Sequence, residues 1–184
     1  DLVQQYKQLL SRFYKISVRE EKGRQLLERR CGITSKVVVD PTLLLTATEW
    51  KKIEKKVYGI SIPFVFCYFL NENNNYKEKV VQFARRRNVQ VIGISAKEED
   101  KEWFTQYLKN IGPEEFLWLI DHCKYVFTDS YHGTLFSILF HKKFITFERF
   151  ENTDILCQNS RIKQLSQMFS LQNVITSVKE YDSE

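Results

Sequence analysis

The feature of the sequence that most restricts the fold is a regular alternation of strand and helix patterns between residues 60 and 147. Apolar runs rich in β-branched and aromatic residues are each followed by a stretch with helical spacing. Such alternation predicts a parallel sheet with right-handed crossovers and helices on both faces, a Rossmann-like α/β layer. The predicted strands are 60–70, 89–94, 125–128 and 144–147, and the predicted helices are 76–87, 98–109, 114–123 and 133–141.

The chain before this alternation predicts a separate piece of α/β structure. An amphipathic helix at 2–13, a strand at 15–18, a helix at 20–30 and a strand at 36–39 are expected in that order. We interpret residues 1–41 as the remnant of an N-terminal α/β domain and residues 42–184 as a C-terminal Rossmann-like domain. A capping box at Thr46–Glu49 predicts a helix that continues to about Val57, and a last helix is expected at 160–169.

Composition restricts the function before any motif is considered. With 184 residues, 43% hydrophobic and 28% charged, the chain can bury one core, or one core and a fragment of another. Its net charge of +5 comes from short basic clusters such as Lys51-Lys52, Lys55-Lys56 and Arg85–Arg87. Solvated helix faces are the favoured interpretation, and electrostatic guidance toward an anionic membrane surface or a phosphorylated substrate is the alternative. Nucleic-acid binding is not expected, because no known reading motif is present.

Cysteine usage and hydropathy indicate a cytoplasmic protein. The four cysteines are widely separated and form no Cys-x-x-Cys pair, so small buried residues in a reducing compartment are expected rather than metal ligands. No run approaches the roughly 18 consecutive apolar residues that a membrane span needs, and no export segment is recognised. Localisation in the cytoplasm, with contact to the inner face of the membrane as an option, is therefore predicted.

Residues 125–138 carry the clearest sign of a binding site. The short apolar run at 125–128 is followed by a polar loop at 129–132, and Gly133 then opens a helical pattern. In α/β proteins such a strand, loop and helix start place ligand groups beside backbone N–H donors. The helix start suits an anion, and a histidine can move a proton near neutral pH. The segment therefore predicts a site for a phosphorylated or carboxylated ligand.

The same loop resembles a known family. Asp-Ser-Tyr-His-Gly-Thr at 129–134 is similar to the Asp-Ser-Phe-His-Gly-Thr or Asp-Arg-Leu-His-Gly segment of the polysaccharide pyruvyl transferase family. Further similar stretches, in the same order, are Ile-Ser-Val-Arg-Glu at 16–20, Val-Asp-Pro-Thr-Leu-Leu at 39–44, Gly-Pro-Glu-Glu-Phe-Leu at 112–117 and Asn-Ser-Arg-Ile at 159–162. Any one of these matches alone would be weak, whereas their common order supports the resemblance.

The resemblance implies a function. Members of this family move a pyruvyl group from phosphoenolpyruvate onto a glycan as a ketal, in the biosynthesis of capsules and other surface polysaccharides. The implied partners are phosphoenolpyruvate and a saccharide acceptor, which can be lipid-linked. No cofactor or metal ion is implied beyond the donor substrate. The resemblance also implies a fold similar to one half of a B-type glycosyltransferase, in which two Rossmann-like halves face each other across a cleft.

His132 falls on the family's histidine and is the candidate catalytic residue. An imidazole with a reference pKa near about 6.5 can both donate and accept a proton at neutral pH. It would donate a proton to the donor, or hydrogen-bond to it, while a sugar hydroxyl attacks C2 and a second hydroxyl then displaces phosphate. Gly133 and Thr134 would open the helix that holds the phosphate or carboxylate. Asp129 is expected to cap this helix.

Other residues are candidates for substrate binding. Ser130 and Tyr131 stand where some relatives carry arginine and leucine, so the cation that grips the donor must come from elsewhere. Arg19, just past a predicted strand, and Arg161, at the start of the last helix, are the candidates, although surface pairing with a local glutamate is an equally good account of each. Glu114 could accept a hydrogen bond from a sugar hydroxyl, with helix-dipole stabilisation as the simpler account.

Two other functions fit the same predicted fold. One is a B-type glycosyltransferase that uses a nucleotide-sugar donor, and the other is a non-catalytic, truncated domain that binds a partner or a glycan precursor. A serine hydrolase is rejected because there is no Gly-x-Ser-x-Gly elbow. A dinucleotide oxidoreductase is rejected because no Gly-x-Gly-x-x-Gly follows a strand.

Overall fold

The computed structural model describes residues 1–71, 74–95, 97–150 and 158–171, together with the backbone of 175–176. By its internal contacts the chain divides into two compact units, Asp1–Leu44 and Leu45–Glu184. None of the helices in the described part of the chain is both long and apolar enough to cross a bilayer. Of the cysteines, Cys157 lies outside the described residues, and the others are buried free thiols at Cys31, Cys67 and Cys123.

The first unit contains a parallel pair of short strands with a helix between them. Its elements are α1 (Leu2–Leu10), β1 (Ser17–Val18), α2 (Glu21–Cys31), β2 (Lys36–Val37) and a 3₁₀ turn (Pro41–Leu44). Ser17 pairs with Lys36, and Val18 pairs with Val37. Helix α2 ends where Gly32 adopts a left-handed conformation with φ of 65°, a backbone geometry that favours glycine at helix ends.

The second unit contains a six-stranded parallel sheet, counted over the described residues. The sheet order is β5-β4-β3-β6-β7-β8. The elements are α3 (Ala47–Lys51), β3 (Phe64–Phe69), α4 (Asn74–Arg86), β4 (Gln90–Ser95), a 3₁₀ helix (Glu98–Trp103), β5 (Gln106–Tyr107), α5 (Pro113–His122), β6 (Tyr125–Thr128), α6 (Tyr131–Leu139), β7 (Lys143–Phe147), α7 (Asn159–Phe169) and β8 (Ile175–Thr176). The predicted parallel α/β sheet is confirmed.

The central strand β3 is buried on both faces, which explains its continuous apolar sequence. Phe64 and Phe66 contribute to one core cluster with residues of α5 and α6. Val65, Cys67 and Phe69 contribute to a second cluster with residues of α4. Since successive side chains of a strand point to opposite faces, these two clusters place helices on both faces of the sheet.

The direction of winding reverses between β3 and β6. The chain passes from β3 to β4 and β5 on one side, returns to β6 beside β3, and continues to β7 and β8 on the other side. Two neighbouring strands whose following connections leave in opposite directions open a crevice at their carboxyl ends. The topology therefore predicts a ligand site near residues 70–71 and 129–130.

The predicted helix at 98–109 is wrong. Only a 3₁₀ helix forms at Glu98–Trp103, and Gln106 and Tyr107 pair with Ile92 and Gly93 of β4 as strand β5. Phe104 fills the space that Gly93 leaves, because a Cβ at Gly93 would lie 2.3 Å from its ring. A tertiary contact with β4 thus overrides the helical spacing of the aromatic residues.

The helix predicted to run from Thr46 to about Val57 is shorter than expected. The capping box forms as predicted, with Thr46 and Glu49 bonding to each other's backbone N–H, but α3 ends at Lys51. Beyond it, the Lys55 N–H donates to the Glu114 carbonyl at 3.2 Å instead of continuing the helix. The segment after α3 is thus held by α5.

A buried carboxylate belongs to this segment. The Glu54 side chain is 9% exposed, and its Oε1 has no hydrogen-bond partner among the described residues. Glu54, Asp121 and His122 each offer one potential metal-ligand atom, and these atoms lie within 4.8 Å of one another. Asp121 already pairs with Lys51 at 2.8 Å and with Lys142 at 3.7 Å. We assign no metal ion to this group, because the two ammonium groups would repel a further cation.

Replacing Glu54 and Glu49 by glutamine should change stability with opposite pH dependence. Burial, and then the charge of Asp121, raise the pKa of Glu54. Hydrogen bonds from Thr46 lower the pKa of Glu49. The stability that protonated Glu54 contributes to the folded state is therefore present at pH values below its unfolded pKa. This stability is lost as pH rises through its folded pKa. The stability that ionised Glu49 contributes to the folded state is present at pH values above its unfolded pKa. This stability is lost as pH falls through its folded pKa.

We expect Glu54→Gln to stabilise the protein relative to wild type at about pH 7 and this gain to fade toward about pH 4. We expect Glu49→Gln to destabilise it at about pH 7 and this loss to shrink as pH falls. Urea unfolding of the three proteins at several pH values measures both effects. Curves that change in the same direction for the two variants would contradict the assignment.

Candidate functional site

The candidate site is built on the loop between β6 and α6, at the carboxyl edge of the sheet. The Thr128 hydroxyl donates to the Tyr68 carbonyl at 2.6 Å and accepts from the Ser130 N–H at 3.0 Å, which ties the end of β6 to β3. The Ser130 hydroxyl caps α6 by accepting from the Gly133 N–H at 3.3 Å. Gly133 packs so closely on the strand that an added Cβ would lie 2.6 Å from the Thr128 hydroxyl. This contact fixes the helix start directly above the strand end.

Asp129 does not cap α6, in contrast to the expectation from the sequence, because Ser130 occupies that position. The Asp129 carboxylate instead accepts hydrogen bonds from the backbone N–H groups of Leu70 and Asn71, both at 2.8 Å. These groups follow β3, so the carboxylate bridges the carboxyl ends of β3 and β6. Burial raises the pKa of Asp129, while these two hydrogen bonds and the charge of Arg149 oppose that rise.

Arg149 connects the end of β7 to Asp129. Its Nη2 donates to the Asp129 carbonyl at 2.9 Å, and its Nε lies 3.9 Å from the Asp129 carboxylate. The Asn71 side chain donates to the Arg149 carbonyl at 2.6 Å. The ends of three adjacent strands are thus connected through one carboxylate and one guanidinium. Sequence reasoning missed Arg149, although the strand-end argument used for Arg19 applies equally to a cation that follows the strand at 143–147.

A cleft that is open to solvent lies beside Arg149. Its lining residues come from the ends of β6 and β7 and from the starts of α6 and α7. They are Asp129, Tyr131, Arg149, Phe150, Gln158, Asn159, Arg161 and Ile162. The cleft therefore combines two guanidinium side chains with aromatic rings and side-chain amides.

Asn159 fixes the wall of the cleft that α7 provides. This residue is buried, and its amide accepts from the Phe150 N–H at 3.3 Å and donates to the Phe150 carbonyl at 2.6 Å. The first turn of α7, which carries Arg161, is therefore attached to the chain immediately after Arg149. Both arginines come to the cleft on backbone that is held by hydrogen bonds.

The structure brings some of the predicted site residues to this cleft and uses others to build it. Tyr131 and Arg161 line the cleft. Ser130 and Thr134 are buried, and the Thr134 hydroxyl donates to the Ser130 carbonyl at 2.9 Å and shares a hydrogen bond with Thr146 at 2.8 Å. These bonds give Ser130, Gly133 and Thr134 a structural role in the loop, and their contact with a ligand stays a prediction.

His132 is exposed at the second residue of α6. Its ring contacts the ring of Tyr131 edge-on, with 5.4 Å between the centroids. Tyr131 is one of the described residues that line the cleft, whereas His132 is not. The imidazole is thus accessible one residue from the cleft wall, and its catalytic role stays a prediction.

Arg19 and Glu114 lie elsewhere. Arg19 belongs to the first unit, where its Nη1 donates to the buried Asp40 carboxylate at 2.7 Å and its Nε lies 3.8 Å from Glu20. Asp40 also accepts from the Thr42 N–H and hydroxyl at 3.0 and 2.8 Å. Glu114 is exposed in the first turn of α5. Substrate binding by either residue stays a prediction.

The second unit and its cleft define a class: a doubly wound parallel α/β protein with a cation-lined cleft at the carboxyl edge of its sheet. A sequence model of polysaccharide pyruvyl transferases matches residues 2–149. This match covers most of the chain, so the protein belongs to the polysaccharide pyruvyl transferase family.

Solved structures give distant similarities. The chain is similar to UDP-GlcNAc 2-epimerase from Neisseria meningitidis bound to UDP-GlcNAc, with 12% identity, a TM-score of 0.46, and coverage of 84% of this chain and 52% of that one. It is also similar to the E. coli heptosyltransferase WaaC with ADP-2-deoxy-2-fluoro heptose, with 12% identity, a TM-score of 0.39, and coverage of 81% and 55%. The chain spans about half the length of these structures. No curated protein matches it significantly.

Asp129→Asn should destabilise the protein although it removes a buried charge. The amide group of asparagine has one acceptor oxygen, so an NH₂ group would face one of the two backbone N–H groups that Asp129 now satisfies. We expect a loss of about 1–3 kcal/mol in the free energy of unfolding, measured by urea denaturation. The matched control is Asp121→Asn, which removes the ion pairs with Lys51 and Lys142 and should cost less, because ion pairs that solvent reaches contribute little. Equal losses in the two variants would contradict a special role for Asp129.

Proposed function

We propose that the protein transfers a pyruvyl group from phosphoenolpyruvate to two hydroxyls of a surface-polysaccharide precursor, forming a cyclic ketal. Family membership supports the reaction class. The observation that carries the proposal is the presence of Arg149 and Arg161 on one cleft at the carboxyl edge of the sheet, beside the helix start that carries His132.

The cleft suits a small donor with two anionic groups. Phosphoenolpyruvate carries a phosphate and a carboxylate on the same carbon, C2, and guanidinium groups bind both by paired, charge-assisted hydrogen bonds. Arg149 is oriented by Asp129, and Arg161 is carried on a helix turn attached through Asn159. Cations held in this way lose little side-chain freedom when the donor binds.

The proposed reaction uses His132 as an acid. A proton from the imidazolium is added to C3 of the enol while an acceptor hydroxyl adds to C2, which gives a tetrahedral carbon that carries both phosphate and sugar oxygen. A second hydroxyl then forms a bond to C2 as the C2–O bond to phosphate breaks, and inorganic phosphate leaves. The protons of the two hydroxyls pass to the histidine and to solvent or phosphate. A histidine is suited to both roles near neutral pH.

The remaining parts of the proposal concern partners and location. The acceptor is a saccharide, lipid-linked or free, and no cofactor is proposed beyond the donor substrate. The reaction would take place in the cytoplasm, and a lipid-linked acceptor would bring it to the inner face of the membrane. Arg19, Ser130, Tyr131, Gly133, Thr134 and Glu114 are proposed to contact or position the two substrates, in addition to the arginines of the cleft.

Calorimetry with phosphoenolpyruvate tests the donor site. We expect saturable binding that Arg161→Gln weakens roughly 10- to 100-fold, because a hydrogen bond to a charged group contributes about 1.5–3 kcal/mol. Arg30→Gln, which removes an exposed cation from α2 in the other unit, is the matched control and should bind like wild type. Tighter binding of a nucleotide sugar than of phosphoenolpyruvate would instead indicate a glycosyltransferase.

His132→Gln separates catalysis from binding. We expect this variant to keep the unfolding curve and the phosphoenolpyruvate affinity of wild type, because the side chain is exposed. Its turnover should fall about 10²- to 10⁴-fold, which is the usual contribution of general acid–base catalysis. The assay is release of inorganic phosphate from phosphoenolpyruvate with a panel of glycoside acceptors. Unchanged turnover would remove His132 from the mechanism, and binding without turnover in wild type would favour a binding domain.

A further inference from the structure

The amino-terminal edge of the sheet, opposite the cleft, is strongly basic. We use the name amino edge for the positions at and just before the first residues of β4, β3, β6 and β7. Because the strands are parallel, the segments that lead into them meet at this edge. Exposed cations stand in three of these segments. They are Arg85, Arg86 and Arg87 before β4, Lys124 before β6, and Lys143 at the start of β7.

Strand register shows that these cations are neighbours. Tyr125, which follows Lys124, pairs directly with Lys143. The guanidinium of Arg87 lies 5.9 Å from the Tyr125 ring, and the Lys124 ammonium lies 5.7 Å from the same ring. With adjacent strands about 4.8 Å apart, the cations extend over about 15 Å of the edge. They therefore form one surface rather than separate points of charge.

The segments that lead into these strands are poor in carboxylates. The sequence contains no aspartate or glutamate at residues 55–71, 79–96, 122–128 or 130–147. At the last turn of α5, Asp121 pairs with Lys51 and Lys142. Outside the group that Asp121 forms with these two lysines, the segments that lead into the strands therefore bring cations to the amino edge without acids.

An exposed apolar residue lies within this basic surface. Ile62 precedes β3, the strand that lies between β4 and β6, and 62% of its surface is exposed. The Ser61 carbonyl accepts a hydrogen bond from the Gln90 side chain at the start of β4, and the Lys124 N–H donates to the Phe64 carbonyl at 2.8 Å. Ile62 is thus placed between the arginine segment and Lys124.

We propose that the amino edge docks on the surface of an anionic lipid bilayer, with Ile62 as an apolar contact between the arginine segment and Lys124. A row of exposed cations attracts anionic headgroups, and an exposed apolar side chain among them can enter the interface. The arrangement favours a membrane over nucleic acid, since the sequence carries no nucleic-acid reading motif. In this orientation the cleft at the opposite edge faces the aqueous phase, which suits the free form of the proposed saccharide acceptor better than the lipid-linked form. The proposal does not depend on which donor the cleft binds.

Co-sedimentation with vesicles tests this surface. We expect binding to vesicles of phosphatidylcholine with about 30% phosphatidylglycerol, no binding to pure phosphatidylcholine, and loss of binding as salt shortens the Debye length below about 5 Å. Arg85→Gln, Arg86→Gln and Lys143→Gln together should weaken binding roughly 100-fold, since each cation near an anionic bilayer contributes about a factor of five. Ile62→Ala should weaken it further.

The matched control carries Lys22→Gln, Arg29→Gln and Arg30→Gln, three exposed cations of α2, and has the same net charge as the triple variant. It should bind vesicles like wild type. Equal weakening in both triple variants would overturn the proposal, because net charge alone would then account for binding. So would equal binding to neutral vesicles, or tighter binding to duplex or single-stranded oligonucleotides than to anionic vesicles. Ligand binding in the cleft should be the same in all variants, which separates this surface from the proposed donor site.

Discussion

The buried carboxylate of Asp129 is the interaction on which the candidate site depends. Strands β3 and β6 are adjacent but lead into connections that leave in opposite directions, so their carboxyl ends are not joined by the chain. Asp129 joins them by accepting the N–H groups of Leu70 and Asn71, and Arg149 adds the end of β7. Without these bonds, partly buried backbone N–H groups would lack acceptors, which is costly.

The same interaction determines what the cleft can bind. Burial raises the pKa of Asp129, so its carboxylate is energetically disfavoured unless donors surround it. The Arg149 Nε lies 3.9 Å from this carboxylate and favours its charge, while Nη2 donates to the Asp129 main-chain carbonyl. A guanidinium has further N–H groups beyond these. An arginine that is oriented by a buried acid on one side can therefore present a fixed cation to an anionic ligand on the other.

The sequence predicted those features that local pattern controls. Strand β6 was predicted at residues 125–128 and forms at Tyr125–Thr128, because a short apolar run between a helix end and a polar loop leaves few alternatives. The exchange of Asp129 for Ser130 as the cap could not be foreseen, since both residue types cap helices well. The choice depends on Leu70 and Asn71, which are distant in sequence.

Tertiary packing decided the remaining differences. Residues 98–109 have helical spacing, yet Phe104 enters the space above Gly93 and the following residues join the sheet. The lining of the cleft by Arg149 and Arg161 likewise depends on β7 and α7 meeting in space, and only Arg161 was marked by a motif. Residue type and spacing therefore located the strand, the loop and the helix of the site. The partner of each charged group depends on contacts between residues that are distant in sequence, which a local pattern does not show.

The cations at the two edges of the sheet differ in how firmly they are held in place. The two edges therefore suit different kinds of ligand. At the carboxyl edge, Arg149 is partly buried and hydrogen-bonded to Asp129, so its direction is fixed before a ligand arrives. At the amino edge, Arg85, Arg86 and Lys143 are exposed and stand in segments without acids. Fixed cations discriminate between small anions by geometry, whereas exposed flexible ones respond to charge density and little else. A parallel sheet produces this separation directly, because it sends all strand starts to one edge and all strand ends to the other.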